Sequence, residues 1–253
     1  VPIQSVDEST GTALPVVCWL IDERELMKRG ASMRGSRLAS APPTYPGPIQ
    51  LSLQMRGAIS NLAIRSQPPF STAPLDGEAR VSVCAAGLNF RDVLNVLGEY
   101  PGDPGPPGGD CAGIATLEDA ACVCAGQGVF GVGHAPLASI ARTNMHLLGP
   151  QPRALTFEGS CTIPTVWSTV HKSLSEAQLH STQGIFLHAA AGGVGLVALQ
   201  YGTWLGTQIL GTASKPQKHC VLKASGATRH ANSRHSTSLA SGAAQLGARW
   251  RFS

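Results

Sequence analysis

The chain has 253 residues, of which 43% are hydrophobic and only 13% charged, and its net charge is +4. That composition allows one large or two modest cores, and no apolar run reaches the roughly 18 residues of a membrane-spanning helix. Seven cysteines, an odd number without framework spacing, argue against a disulfide scaffold and for a reducing, cytoplasmic setting; the first residues carry no signal-peptide pattern.

The basic excess is unevenly placed. After Glu176 there is no Asp or Glu, whereas Lys215, Lys218, Lys223, Arg229, Arg234, Arg249 and Arg251 all follow it. A nucleic-acid surface usually adds interleaved aromatics or a recognisable motif, and neither is found. A phosphate-bearing small ligand accounts for part of the bias; an accident of composition in a low-charge chain is the alternative.

In chain order, residues 1–47 read as a linker, because the stretch ASMRGSRLASAPPTYPGP is too rich in Pro, Ser and Gly for a packed core. Residues 48–160 read as a β-rich domain. IQLSLQ (49–54), ISNLAIRS (59–66) and ARVSVCAAG (79–87) alternate apolar and polar positions as half-buried strands do. Residues 90–94 begin a short helix, in which Asp92 anchors the helix start or pairs with Arg91. Residues 101–109 form a loop of Pro and Gly. From 161 onward the pattern changes, and residues 161–253 read as a partial nucleotide-binding domain.

That second region centres on GIFLHAAAGGVGLVALQYGTWLGTQILGTA, residues 184–213. Residues 184–188 form a short buried strand. Ala190, Gly192 and Gly195 then give the spacing A-x-G-x-x-G, and Val194, Val197, Ala198, Tyr201 and Leu205 recur at helical spacing, which predicts a helix packed back on the strand. Residues 207–213 suit a parallel neighbour and 227–232 a weaker third strand, so the whole is a right-handed βαβ unit. The missing side chains at Gly192 and Gly193 let main chain approach a pyrophosphate, and the helix starting near Val194 turns its free N–H groups toward that anion. The competing reading is a glycine-rich turn in an unrelated α/β protein. His188, between the apolar strand and the glycines, is the histidine expected to be buried.

LNFRDVL…LGEYPG (88–102), GVFG (128–131), LTFEGSCTIPTVWSTV (155–170) and HAAAGGVG (188–195), in this order and spacing, resemble one family. It is the enoyl reductase domains of type I polyketide and fatty acid synthases, within the medium-chain, quinone-oxidoreductase-like reductases. The resemblance covers about residues 48–238. It implies an α/β protein with a GroES-like β-rich substrate domain and an incomplete Rossmann domain, with the active site in the cleft between them. It also implies NADPH-dependent reduction of a trans-2-enoyl thioester on an acyl carrier protein, with neighbouring synthase domains as partners. Hydride goes to Cβ and a proton to Cα. A stand-alone NADPH quinone or enal reductase, and a non-catalytic remnant, are the rival readings.

The resemblance also implies the roles of individual residues. Ala190, Gly192, Gly193, Val194 and Gly195 match the pyrophosphate loop. Ser214 and Lys218 follow the second strand, where a chain preferring NAD keeps an acid; a hydroxyl and an ammonium suit a 2′-phosphate instead. Lys218 is open as a phosphate contact, as a proton donor or as a solvated lysine. Arg234 assists at the adenosine end or is an exposed loop arginine. Tyr100 matches a proton donor to Cα, or simply packs its ring. Asn89 lies near the nicotinamide, and Thr169, with Thr165, lines the cofactor channel or is an ordinary polar helix residue. No metal is expected: where related zinc dehydrogenases hold a cysteine and a His-Glu pair, this chain has Asn89 and Gly109-Asp110, and Cys122 and Cys124 have no second pair.

Two departures bear on the expectation. The family places an aspartate within 235–238, where this chain reads HSTS, and ASGAAQLGARWRFS is too short to supply the later Rossmann strands. The chain alone is therefore expected to be poorly stable and inactive as a reductase.

Overall fold

A computed structural model describes residues 3–6, 13–16, 47–70, 77–116 and 124–234. Of the expected linker it describes only Gly47 and two short strands, β1 (Ile3–Val6) and β2 (Ala13–Val16), which pair with each other; the rest of that linker, Cys122 and the segment 235–253 lie outside the described residues. The chain divides into two compact units, one of Val1–Ile3 and Val17–Thr162, the other of Gln4–Val16 and Ile163–Ser253.

The first unit is built from antiparallel strands. β3 (Ile49–Leu53) pairs with β4 (Leu62–Ser66), from Ile49 opposite Ser66 to Leu53 opposite Leu62. The expected strand at 59–66 starts late because Ile59–Asn61 forms a 3₁₀ turn that reverses the chain into it. β5 (Glu78–Gly87) alternates half-buried and buried residues from Glu78 to Val81, and a bulge at Cys84, between Val83 and Ala85, shifts the pairing register. Helix α1 (Phe90–Leu97) follows, closed by Gly98, whose φ of 76° is the left-handed conformation that glycine adopts without penalty. β6 (Asp110–Ala115), β7 (Gly128–Val132), β8 (Ile140–Asn144) and β9 (Leu148–Pro150) complete a five-stranded sheet in the order β8-β5-β6-β7-β9. Val81, Ala115 and Val129 bury against one another with Leu148 beside them. The unit ends in a single turn, α2 (Phe157–Ser160), capped by Thr156 Oγ1, which accepts the Gly159 N–H at 3.2 Å.

The second unit is the predicted βαβ pattern. Helix α3 (Pro164–Glu176) leads to β10 (Gly184–Leu187), α4 (Gly193–Trp204), β11 (Gln208–Ala213), α5 (Pro216–Ala224) and β12 (Arg229–Asn232). The three strands are parallel in the order β10-β11-β12. Ile185, Ala190, Leu199, Ile209, Ala213 and Leu222 form the main core, with Leu196 packed on it.

The stripe read from the sequence on α4 meets the strand only at its end. Val197, Ala198, Tyr201 and Leu205 cluster with Leu187 of β10 and with Val170 and Leu174 of α3, whereas the rest of the sheet is met by Leu196 and Leu199. α4 is thus apolar on two faces, as a helix sandwiched between a sheet and a second helix must be. Among the described residues no helix is long and apolar enough to cross a membrane.

Candidate functional site

In the second unit, the end of β10 turns sharply into α4. Ala189 has φ 49°, a left-handed conformation that costs an alanine on the order of 1 kcal/mol. Its carbonyl accepts the Gly192 N–H at 2.8 Å, and the Ala190 N–H donates to Thr212 O at 2.9 Å, tying the turn to β11. Gly192, in extended conformation, is the N-cap of α4, and the Leu196 N–H to Gly192 O bond at 2.9 Å is the first of the helix. The N–H groups of Gly193, Val194 and Gly195 therefore have no acceptor within the helix. Gly192, Gly193 and Val194 are exposed, and Ala190 and Gly195 are buried.

The glycines do two different jobs. A Cβ on Gly193 would touch only Val166 Cγ1, at 3.6 Å, so the space before the helix end is bare main chain. A Cβ on Gly195 would lie 2.5 Å from Ala190 Cα and 2.7 Å from its carbonyl oxygen, so this glycine lets helix and strand-end meet. Free N–H groups, a helix dipole and no side chain in the way fit a dinucleotide pyrophosphate.

Three of the other residues singled out in this unit follow the C-terminal ends of β11 and β12. Ser214, half-buried, directly follows β11. Lys218, exposed, sits in the first turn of α5. Arg234, exposed, lies two residues beyond β12 with its N–H on Asn232 Oδ1 at 3.0 Å. Thr169 is exposed, and its hydroxyl donates to Thr165 O at 2.7 Å, so its proton is committed to its own helix. His188 is exposed rather than buried, because β10 ends at Leu187 and the next residue already belongs to the turn; its ring meets Phe186 edge-on at 4.4 Å.

In the first unit, Asn89 is the N-cap of α1. Its side-chain amide donates to Asp110 Oδ2 at 3.0 Å, and its backbone N–H donates to Asp92 Oδ2 at 2.8 Å. Asp92 is buried, and its other oxygen accepts the Gly108 N–H at 2.8 Å. One carboxylate thus caps the helix and holds the Pro/Gly loop. Asn95, buried one helical turn on, donates to Gly105 O at 3.1 Å and accepts from Arg56 Nε at 3.1 Å. Arg56 also reaches Asp103 at 2.7 Å, and this hydrogen bond, with that of the Gly105 N–H, holds the exposed Asp103 carboxyl below its ordinary range.

Tyr100 stands at the foot of this loop, half-buried. The Arg91 guanidinium lies 5.5 Å from its ring centroid and donates to Pro104 O at 3.1 Å. A cleft of about 430 Å³ opens nearby in the same unit, lined by Gln50, Leu53, Arg56, Gly105, Pro107 and Ala135 among others. The sequence reading missed Arg56 and Asn95, and it named Asp110 only as a residue standing in place of a metal ligand, not as the partner of Asn89.

The cysteines at this end are buried. Burial, the Asp110 charge and then Cys161 push the Cys111 thiol up to about 12, and Cys161 Sγ donates to Glu158 O at 3.2 Å. Among the described residues no three His, Cys, Asp or Glu side chains gather as metal ligands.

A curled antiparallel unit followed by a parallel βαβ unit with a bare glycine turn defines a class: the medium-chain, quinone-oxidoreductase-like reductases, with their GroES-like and Rossmann domains. No protein-family model matches the chain. It is 35% identical over 211 residues to erythronolide synthase EryA2 of Saccharopolyspora erythraea, covering 81% of this chain and 6% of that one. Among solved structures it is similar to the CurK enoyl reductase (TM-score 0.68, 32% identity, 74% of this chain and 60% of that one). It is also similar to a Pseudomonas syringae quinone oxidoreductase (TM-score 0.65, 27% identity, 73% of this chain and 58% of that one). The chain is thus similar to the enoyl reductases of type I polyketide synthases and to quinone oxidoreductases. It spans only a small part of the synthase it matches.

Proposed function

We propose that the chain contributes NADPH-dependent enoyl reduction to a polyketide or fatty acid synthase, its substrate a trans-2-enoyl thioester on an acyl carrier protein. Neighbouring synthase domains are its partners and the cytoplasm its setting. On this reading residues 48–160 serve the substrate and residues 161–253 the nucleotide. The observation that carries it is the turn from β10 into α4: a left-handed Ala189, exposed Gly192 and Gly193 with no neighbouring side chain in the way, and a helix N-terminus directly behind them.

Ala190, Gly192, Gly193, Val194 and Gly195 hold the pyrophosphate through main-chain N–H groups. Ser214, Lys218 and Arg234 hold the 2′-phosphate, since no carboxylate occurs between Glu176 and Arg234 to repel it. Bound NADPH supplies the hydride. Asn89, its amide oriented by Asp110, and Thr169 contact the nicotinamide side. Tyr100, with the Arg91 guanidinium over its ring, donates the proton to Cα. Lys218 is the alternative donor.

The test follows NADPH absorbance and product mass with crotonyl and α-methylcrotonyl groups on a carrier protein. Tyr100→Phe is expected to keep NADPH affinity and to slow reduction, by roughly a hundredfold if it is the general acid, or to change the configuration at the branched Cα. Unchanged rate and stereochemistry would remove Tyr100 from the mechanism. A free quinone or enal reduced faster than the carrier-bound thioester would favour the stand-alone quinone or enal reductase that the quinone oxidoreductase likeness brings to mind.

A further inference from the structure

We propose that the open edge of β3, in the cleft of the first unit, takes the two-amide pantetheine arm through which a carrier protein presents its thioester, and binds it by main-chain hydrogen bonds as an added strand is bound. The proposal rests on the reading of the substrate as a carrier-bound thioester.

Along a strand, N–H groups point alternately to its two sides. The Gln54 N–H donates to Asn61 O at 3.3 Å, so it points to the side of β4. The Leu51 N–H points the other way and donates to Leu137 O at 2.7 Å. On that side the Ser139 N–H also donates to Ile49 O at 2.7 Å, and Gln50 pairs with Ala138. The N–H and C=O of Leu53 share the side of Leu51. There the neighbouring chain gives out: Pro136 has no N–H, and Ala135, at φ 50°, leaves the extended conformation. Among the described residues Leu53 thus has no strand partner on that side.

The cleft follows this edge. All of residues 50–56 line it, and successive residues of a strand face opposite ways, so it runs along the side of the strand and not over one face of the sheet. Residues 105–107 and Ala135 complete the lining. Its volume of about 430 Å³ is that of a small-ligand pocket and too little for a folded partner. Among the described residues Arg56 is the only charge that lines it, and Asp103 Oδ1, 2.7 Å from its Nη2, answers that charge.

What fits is therefore narrow, uncharged and able both to accept and to donate along its length. An arm with two amides in series meets each condition. Its carbonyl accepts the Leu53 N–H, and its own N–H donates to Leu53 O. The lining also leads toward the proposed proton donor. Residues 105–107 belong to the loop that starts at Tyr100, and Arg91, over the Tyr100 ring, donates to Pro104 O at 3.1 Å.

The experiment follows hydrogen exchange of single amides in the whole chain, with pantetheine as the probe. At about ten times its Kd, exchange of the Leu53 N–H is expected to slow about tenfold. Exchange at Gln54, already bonded to Asn61, stays as it was. Reduction kinetics give a second readout. The crotonyl thioester of N-acetylcysteamine keeps one amide, and its KM is expected to exceed that of crotonyl-pantetheine by up to about tenfold at equal kcat. Leu53→Pro removes the cleft-facing N–H and no bond to β4. It is expected to raise the KM of crotonyl-pantetheine by up to about tenfold and to leave that of the shorter thioester unchanged. Should Leu53→Pro fail to fold, exchange at Leu53 in the unaltered chain decides. No slowing at Leu53, or equal slowing at Leu53 and Gln54, overturns the proposal. Equal slowing by a carrier protein stripped of its arm also overturns it, since polypeptide would then occupy the edge. Slowing at Leu53 with neither thioester reduced upholds the site and overturns the reductase reading instead.

Discussion

Lys218 is the residue whose chemistry is most open to measurement. It is exposed and free of any local acid, so its charge is available to a 2′-phosphate. A charge-assisted contact contributes about 1.5–3 kcal/mol, so Lys218→Ala should narrow the NADPH-over-NADH preference tenfold or more; equal affinity for the two nucleotides in the unaltered chain would defeat that reading. Single residues were unevenly legible in the sequence. Asp92 as a helix anchor followed from its place after Asn89, but its second bond, to Gly108 N–H, joins residues sixteen apart and no local signal marks it. Ala189 was illegible for another reason: alanine has no preference for left-handed backbone, so only the packing around it reveals the turn. His188 was misjudged because a strand one residue shorter than expected puts its ring outside.

At the scale of elements, the close approach of α4 to the end of β10 rests on one missing methyl group. Gly195→Ala would drive a Cβ to 2.5 Å from Ala190 Cα, main chain that has no rotamer to yield. We expect a loss of about 1–3 kcal/mol, the usual cost of overpacking, read as a lower thermal midpoint. Gly193→Ala, whose new methyl meets only a side chain at 3.6 Å, should leave the midpoint within a degree or two and weaken nucleotide binding instead. A Gly195→Ala chain as stable as its parent would mean that the helix seats itself differently. Strands and the glycine turn were readable because period-two alternation and A-x-G-x-x-G are local patterns. The partner of each α4 face was not readable: Val197 and Tyr201 repeat at the same spacing whether they meet a sheet or, as here, α3.

For the molecule as a whole, the fold class followed from the change of pattern along the chain, whereas the pairing of Asn89 with Asp110 depends on where separate strands end. Among the described residues no three metal-ligating side chains gather, and a Cys111 thiol pushed up to about 12 is a poor thiolate donor. Elemental analysis of the purified chain should find no stoichiometric zinc; about one zinc per chain surviving mild chelation would contradict this. The division of charge has a consequence for kinetics. From Ile163 to the last residue there are eight Lys and Arg and a single acid, Glu176, whereas the other fourteen acids precede Ile163. A polyanionic nucleotide diffusing toward residues 163–253 therefore meets a predominantly positive stretch of chain. Such attraction reaches about 30 Å at 0.01 M salt and only about 8 Å at physiological ionic strength. On the proposed reading, salt sets how fast the nucleotide is captured, while the short-range contacts of the glycine turn set how long it stays.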